Sequence, residues 1–189
     1  MSKRALLAFV FHLSGTLAES SRLFAEAEHF RAERDSAPGI LDSYRGYRYC
    51  DLLLRLGQTG EVLRRATQTL RWSRELLDIG LDHLALGRAY PDGSLESATH
   101  LNQAVDNLRG SGNLDMLPLA LLARGTPRDL DEVFRIATRS GMRLHLTDYH
   151  LAMARLHHSR EHFEKAETLI AETGYHRRDA ELEAIRQSL

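Results

Sequence analysis

Leu86-Gly87-Arg88-Ala89-Tyr90 contains a three-residue core that recurs along the chain: a large apolar residue, a small one, then a residue free to face a groove. The core returns as Leu122-Ala123-Arg124 and Met153-Ala154-Arg155, and more loosely as Leu7-Ala8-Phe9 and Tyr49-Cys50-Asp51. The small residues at 8, 50, 87, 123 and 154 lie at steps of 42, 37, 36 and 31, around the repeat length of stacked helix pairs. This periodicity predicts the architecture more firmly than it predicts a partner.

Outward from that stretch, Glu75 to Tyr90 carries Leu77, Ile79, Leu81, Leu84 and Leu86 and reads as an enclosed helix, closed by Pro91-Asp92-Gly93. Ser94 to Arg109 follows, with Ser97, Leu101, Ala104 and Leu108 on one face. Upstream, Lys3 to Leu13 and Leu17 to Glu33 form a pair across Ser14-Gly15-Thr16, with Leu17, Ser20, Phe24 and Ala27 facing inward and Ser36-Ala37-Pro38-Gly39 as the stop. Ile40 to Leu56 ends at Gly57, and Gly60 to Trp72 buries Val62, Ala66 and Leu70 while Arg64, Arg71 and Arg74 stay solvated. Downstream, Asp115 to Arg124 accommodates Pro118 in its first turn, and Thr126-Pro127 caps and opens a helix to Ser140 with Phe134 and Ala137 inward. Counted from Ala123, that helix arrives about five residues early, so the fourth pair is expected to lack a helical turn. Met142 to His158 and Glu161 to Thr173, the latter burying Phe163, Ala166 and Ile170, make the last pair. Asp179 then caps a terminal helix whose Leu182, Ile185 and Leu189 cover the open end.

The expected fold is all-α: one domain, a right-handed superhelix of five antiparallel pairs (units 1–35, 39–73, 75–110, 113–140 and 142–174) with a capping helix over 178–189. With 43% hydrophobic and 27% charged residues the composition is too apolar for disorder. A net charge of -1 gives no global pull toward nucleic acid or anionic membrane, and the stripe Arg64, Arg71 and Arg74 reads as a solvated face. The lone Cys50 rules out an internal disulfide and, with an apolar start too short to span a bilayer, points to the cytoplasm. Lys3-Arg4 before that start gives it a faint signal-peptide look, but its helical periodicity continues into the next segment.

These units resemble tetratricopeptide repeats, antiparallel helix pairs with a large-small pair in the first helix and small-large-small spacing in the second. The resemblance rests on Met153-Ala154 with Phe163, Ala166 and Ile170, on Leu86-Gly87 and Tyr90 with Leu101 and Ala104, and on Leu7-Ala8, Phe11, Gly15, Phe24 and Ala27. The second unit, with Val62, Ala66 and Thr69, fits less closely. Gly46 to Leu54, Leu77 to Arg88 and Gly141 to His145 further resemble the helical-repeat tails of bacterial STAND-class signalling ATPases of the NACHT type. That resemblance covers nearly the whole chain and implies a sensor or interaction region. The chain has no Gly-x-x-x-x-Gly-Lys-Ser/Thr loop and so lacks the ATPase part.

Ten histidines, among them His145, His150, His157, His158 and His162, do not form a recognised zinc pattern, so no metal or other cofactor is expected. Cys50 occupies a packing position without a basic partner, and no nucleophile elbow occurs, so no enzyme activity is expected. The groove is the candidate site. In such arrays the residue after the small packing position faces the concave surface, which singles out Phe9, Asp51, Arg88, Arg124 and Arg155. One turn away lie Tyr44, Tyr47, Arg55, Leu84 and Asp148. Arg88, Arg124 and Arg155 should form a cationic ladder for a protein or peptide with acidic groups, since a guanidinium suits carboxylates. The alternative is that they pair with Asp51, Asp82 or Asp148 across neighbouring helices. The expected function is therefore non-catalytic protein or peptide binding by a monomer or weak homo-oligomer. A small-molecule or peptide-signal sensor and a self-assembly scaffold are the other readings.

Overall fold

The computed structural model describes residues 3–34 and 39–189, and every element in them is helical. In order these are α1 (Lys3–Leu13), α2 (Leu17–Arg34), α3 (Ser43–Arg55), α4 (Thr59–Leu70), α5 (Leu76–Ala89), α6 (Leu95–Gly110), α7 (Leu117–Arg124), α8 (Pro127–Ser140), α9 (Arg143–His157) and α10 (Arg160–Thr173). A 3-10 turn (His176–Arg178) then leads into α11 (Asp179–Arg186). The expected stop at Ser36-Ala37-Pro38 lies outside the described residues. No described helix is long and apolar enough to cross a membrane.

Helix ends follow local chemistry. Gly125, Gly141 and Gly174 take left-handed φ at the ends of α7, α8 and α10, a conformation that costs glycine nothing. Thr126 forms a capping box with Asp129, and Pro127 opens α8. Asp179 does not cap α11; it is that helix's first residue, preceded by Arg178, and its carboxylate meets His176 Nδ1 at 3.2 Å.

Consecutive helices pack as α1 with α2, α3 with α4, α5 with α6, α7 with α8 and α9 with α10. First helices also pack on one another in sequence, α1 to α3 to α5 to α7 to α9, then α11, whereas second helices stand further apart and meet through long side chains, Arg65 of α4 with Glu28 of α2 and Arg109 of α6 with Glu132 of α8. The first helices thus make one layer and the second helices the other.

The layers close where the side chains are smallest. A Cβ at Gly87 would sit 2.8 Å from Leu101 Cγ and 3.1 Å from its backbone nitrogen, so only glycine lets α5 and α6 approach this far. The Gly87 carbonyl accepts a bond from Ser97 Oγ at 2.8 Å, and in the first pair Ser20 Oγ donates to the carbonyl of Ala8, also at 2.8 Å. In both pairs the second helix is thus pinned to the backbone of the small residue.

Most inward faces are those the periodicity predicts: Phe24 and Ala27, Leu101 and Ala104, and Phe163, Ala166 and Ile170 are buried. Leu17, Leu77 and Ile79 are only half-buried, and other positions differ more. In α4 Thr69 is buried, through its hydroxyl bond to the Asp82 carboxylate, whereas Leu70 is half-buried. In α8 it is Val133 that is buried, while Phe134 is 41% exposed and lies over the Tyr149 ring. Leu189 lies past the end of α11 and is exposed. In α7 the fully buried small residue is Ala120, with Ala123 half-buried. Counted from Ala120 the last two steps become 33 and 34, and the distance to Ala137 equals that from Gly87 to Ala104. No turn is missing between these positions; the fourth pair is short because α7 begins only at Leu117, beside Pro118.

Two imidazole pairs occupy equivalent repeat positions. His83 Nδ1 lies 2.8 Å from His100 Nδ1 between α5 and α6, and His150 Nδ1 lies 2.8 Å from His162 Nδ1 between α9 and α10. Within each pair one nitrogen must donate and the other accept, so at most one of the two rings can be cationic. Burial, then the facing imidazole, pushes His83 down to about 4; burial, His162 and Lys165 do the same to His150.

Two predictions follow from this packing. Gly87→Val should lower stability by ~1–3 kcal/mol through overpacking, and a urea unfolding midpoint equal to wild type would overturn the α5–α6 account. The histidine pairs should contribute stability that is full above the ordinary histidine value and lost as pH falls toward about 4, because in that window the unfolded chain binds more protons. Asp82, pushed up to about 6 by burial, acts in the opposite sense. The observable is therefore the difference between wild type and a His83→Phe, His150→Phe double variant, which should change between pH 7 and pH 5 in favour of the variant at low pH.

Candidate functional site

A cavity of about 750 Å³ lies against the first-helix layer, lined from α1 (Phe9), α3 (Tyr47, Asp51), α5 (Arg88), α7 (Leu122) and α9 (Asp148), with further residues from the C-terminal turn and α11. The turn is what makes it a cavity. Tyr175, Arg177 and Arg178 line it, and the turn packs on both α10 and α1, so the last pair is tied back to the first.

The tie is ionic and buried. Asp51 is 4% exposed; its carboxylate accepts two bonds from Arg177, meets Arg88 Nη2 at 2.9 Å and lies 3.1 Å from His12 Nε2. Arg88 Nη1 also donates to Tyr47 Oη at 3.0 Å, and Arg177 Nη1 lies 3.1 Å from His12 Nε2. Burial works against the Asp51 charge, yet Arg177 and Arg88 hold its carboxyl well below the usual range. Burial likewise opposes the Arg88 charge, but Tyr47 and Asp51 raise its pKa overall. A second carboxylate repeats the arrangement: Asp148, 6% exposed, accepts from Arg178 Nε at 2.7 Å and from Tyr175 Oη at 3.3 Å.

Of the residues singled out by the repeat, Tyr47, Asp51, Arg88, Asp148 and Arg155 line the cavity, while Tyr44, Arg55 and Arg124 do not. Tyr44 is half-buried and accepts from Asn113 Nδ2 at 2.5 Å, and Arg55 is exposed. Arg124 is the last residue of α7, and its fork closes on Asp129 of α8 at 2.9 and 2.6 Å. The ladder Arg88, Arg124, Arg155 is therefore interrupted, because the middle arginine docks α7 onto the capping box of α8. Arg88 is paired with Asp51, and only Arg155, its side chain 68% exposed and 3.3 Å from Glu181, remains largely open to solvent. Asp82 takes no arginine among the described residues; Thr69 and Ser73 donate to it at 2.7 and 2.8 Å.

Tyr175, Arg177 and Arg178 have no place in the repeat pattern, and neither does His12, which is fully buried. The signal available for the turn was its composition: an aromatic and two adjacent arginines between a helix-stopping glycine and a short terminal helix. Burial pushes the Cys50 thiol up to about 12, so it is protonated at neutral pH. No group of three or more His, Cys, Asp or Glu side chains is disposed to hold a metal among the described residues. Comparison of the chain with known protein families, with curated proteins and with solved structures gives no match.

Asp51→Asn should cost ~3–5 kcal/mol, because it leaves buried Arg177 and Arg88 without their counter-charge. Arg155→Gln, at an exposed pair, should cost no more than ~1 kcal/mol. The wild-type contribution of Asp51 is present above the ordinary aspartate value and is lost as pH falls through its depressed folded value. Equal urea midpoints for the two variants at neutral pH would show that the tie is not what holds the two ends together.

Proposed function

We propose that this chain is a non-catalytic binding protein: a right-handed superhelix of five TPR-like pairs with a C-terminal cap, whose inner cavity receives a peptide or protein segment carrying acidic groups. The observation that carries this reading is that all five first helices contribute to one cavity, whose lining includes the exposed guanidinium of Arg155. Five of its arginines are engaged with carboxylates, which suits a preformed surface that loses little entropy when a partner docks. The resemblance to the tails of NACHT-type ATPases supports a sensor or interaction role in a bacterial signalling system, in the cytoplasm and without a nucleic-acid partner. Acting as a small-molecule or peptide-signal sensor is the second reading. It is favoured by the turn that packs on both α10 and α1, since a ligand that displaced Arg177 from Asp51 would release one end of the stack from the other.

Fluorescence anisotropy with labelled hexapeptides, each holding two acidic and two apolar residues, tests the main reading. Peptides that bind should lose about tenfold in affinity on Arg155→Glu, since a charged hydrogen bond is worth ~1.5–3 kcal/mol. Arg124→Gln, outside the cavity, should leave affinity unchanged. Binding by no peptide in the panel, or an equal loss in both variants, would sink the proposal.

A further inference from the structure

Six arginines line the cavity, and five are answered by carboxylates: Arg88 and Arg177 by Asp51, Arg178 by Asp148, Arg143 by Glu172 and Arg155 by Glu181. The sixth, Arg48 of α3, has no carboxylate partner among the described residues. Its guanidinium lies over the Phe9 ring, 4.2 Å from the centroid, and 5.9 Å from that of Tyr44. Its Nη1 is buried without a hydrogen-bond partner among the described residues. Burial pushes its pKa down, the reverse of the raised values of Arg88, Arg177 and Arg178.

A cation taken from water needs an anion or a hydrogen bond to offset its lost hydration. The aromatic faces supply part of that offset and also fix where the guanidinium sits. What is missing is one anionic group. The rest of the lining contains Met116, Leu119, Leu122, Met142 and Leu144, which would cover an apolar body. At about 750 Å³ the space falls in the range of sites that enclose a small ligand, and the turn that packs on α1 and α10 narrows it further against an extended chain. A second polar group of the lining is also incompletely satisfied. His145 Nε2 lies 3.0 Å from the Asp115 carbonyl, which only an N–H can satisfy. In the neutral ring this leaves Nδ1 as an acceptor, buried and without a partner among the described residues.

We infer that the cavity binds a small amphiphilic monoanion, an apolar chain or ring bearing a single carboxylate, with the carboxylate seated on Arg48. One charge is specified because one cation is unanswered. A dianion would find no second unanswered cation, and the lining carboxylates without a partner among the described residues, Asp92 and Asp115, are exposed to water rather than desolvated. The inference rests on the cavity being a ligand site and does not require that the natural ligand be a peptide.

Isothermal titration of the whole chain with sodium octanoate, 1-octanol and octylammonium tests it. Octanoate should bind one per chain, at least about tenfold tighter than octanol, as a charge-assisted hydrogen bond implies, and octylammonium should bind weakest. In Arg48→Gln the preference for octanoate over octanol should disappear while octanol binding persists; in Arg48→Lys, which keeps a charge, part of it should return. Equal binding of octanoate and octanol to wild type, no octanoate binding at all, or an undiminished preference in Arg48→Gln would each overturn the inference. The wild-type comparison decides the matter even if Arg48→Gln fails to fold. Acidic hexapeptides that bind and respond to Arg155→Glu, with no octanoate binding, would overturn this inference and leave the segment-binding proposal standing. Octanoate bound through Arg48 with no peptide bound would do the reverse.

Discussion

Asp51 is buried where four parts of the chain meet: α1 through His12, α3 through its own backbone, α5 through Arg88, and the C-terminal turn through Arg177. Removing its charge would strand two guanidiniums, and removing the turn would leave a buried carboxylate with Arg88 and His12 alone. A buried ion pair is weak evidence for stability, since desolvation offsets most of the attraction. It is better evidence for specificity, because the partners must arrive together and in one geometry. In a stack whose units pack chiefly on their neighbours, this contact spans 126 residues. It couples the two ends, so the chain should behave less like a one-dimensional array and more like a closed unit.

The repeat itself was legible because it is local. A helix face is set by spacing, and the faces through Phe24, Leu101 and Phe163 are buried as spacing requires. The N-cap at Thr126 was legible for the same reason, since it is settled within a few residues. Gly87 could be recognised as the small member of the core. That its carbonyl would be pinned by Ser97 could not, because this depends on how two helices meet.

Register failed in the fourth pair, and with it part of the site. Taking Ala123 as the packing residue placed Arg124 in the groove beside Arg88 and Arg155. Ala120 is the residue that is fully buried, and Arg124, at the very end of a helix of eight residues, turns to Asp129. A helix this short offers little more than two turns over which to average its pattern, and its leucine-rich sequence fits either choice of small residue. The cavity's other unforeseen members, Tyr175, Arg177 and Arg178, come from a segment outside the repeat, and no periodicity could have placed them.

The arrangement of charge around the cavity reverses what a ladder of free arginines would have offered. Arginines and acids there are nearly balanced, and most have been spent on one another, tying α3 and α5 to the turn through Asp51 and α9 to it through Asp148. Such pairs hold the walls still, which lowers the ordering cost of binding, but a guanidinium already held by a carboxylate has less to give a ligand than a free one. Selectivity then rests with the groups left over. Those are a desolvated arginine pressed on an aromatic ring, an imidazole nitrogen without a partner among the described residues, an arginine open to water and two exposed aspartates, Asp92 and Asp115, set around side chains of leucine and methionine. A surface of that kind discriminates by the match between one charge and one apolar body rather than by total charge, and a net charge of -1 over the whole chain is no guide to it.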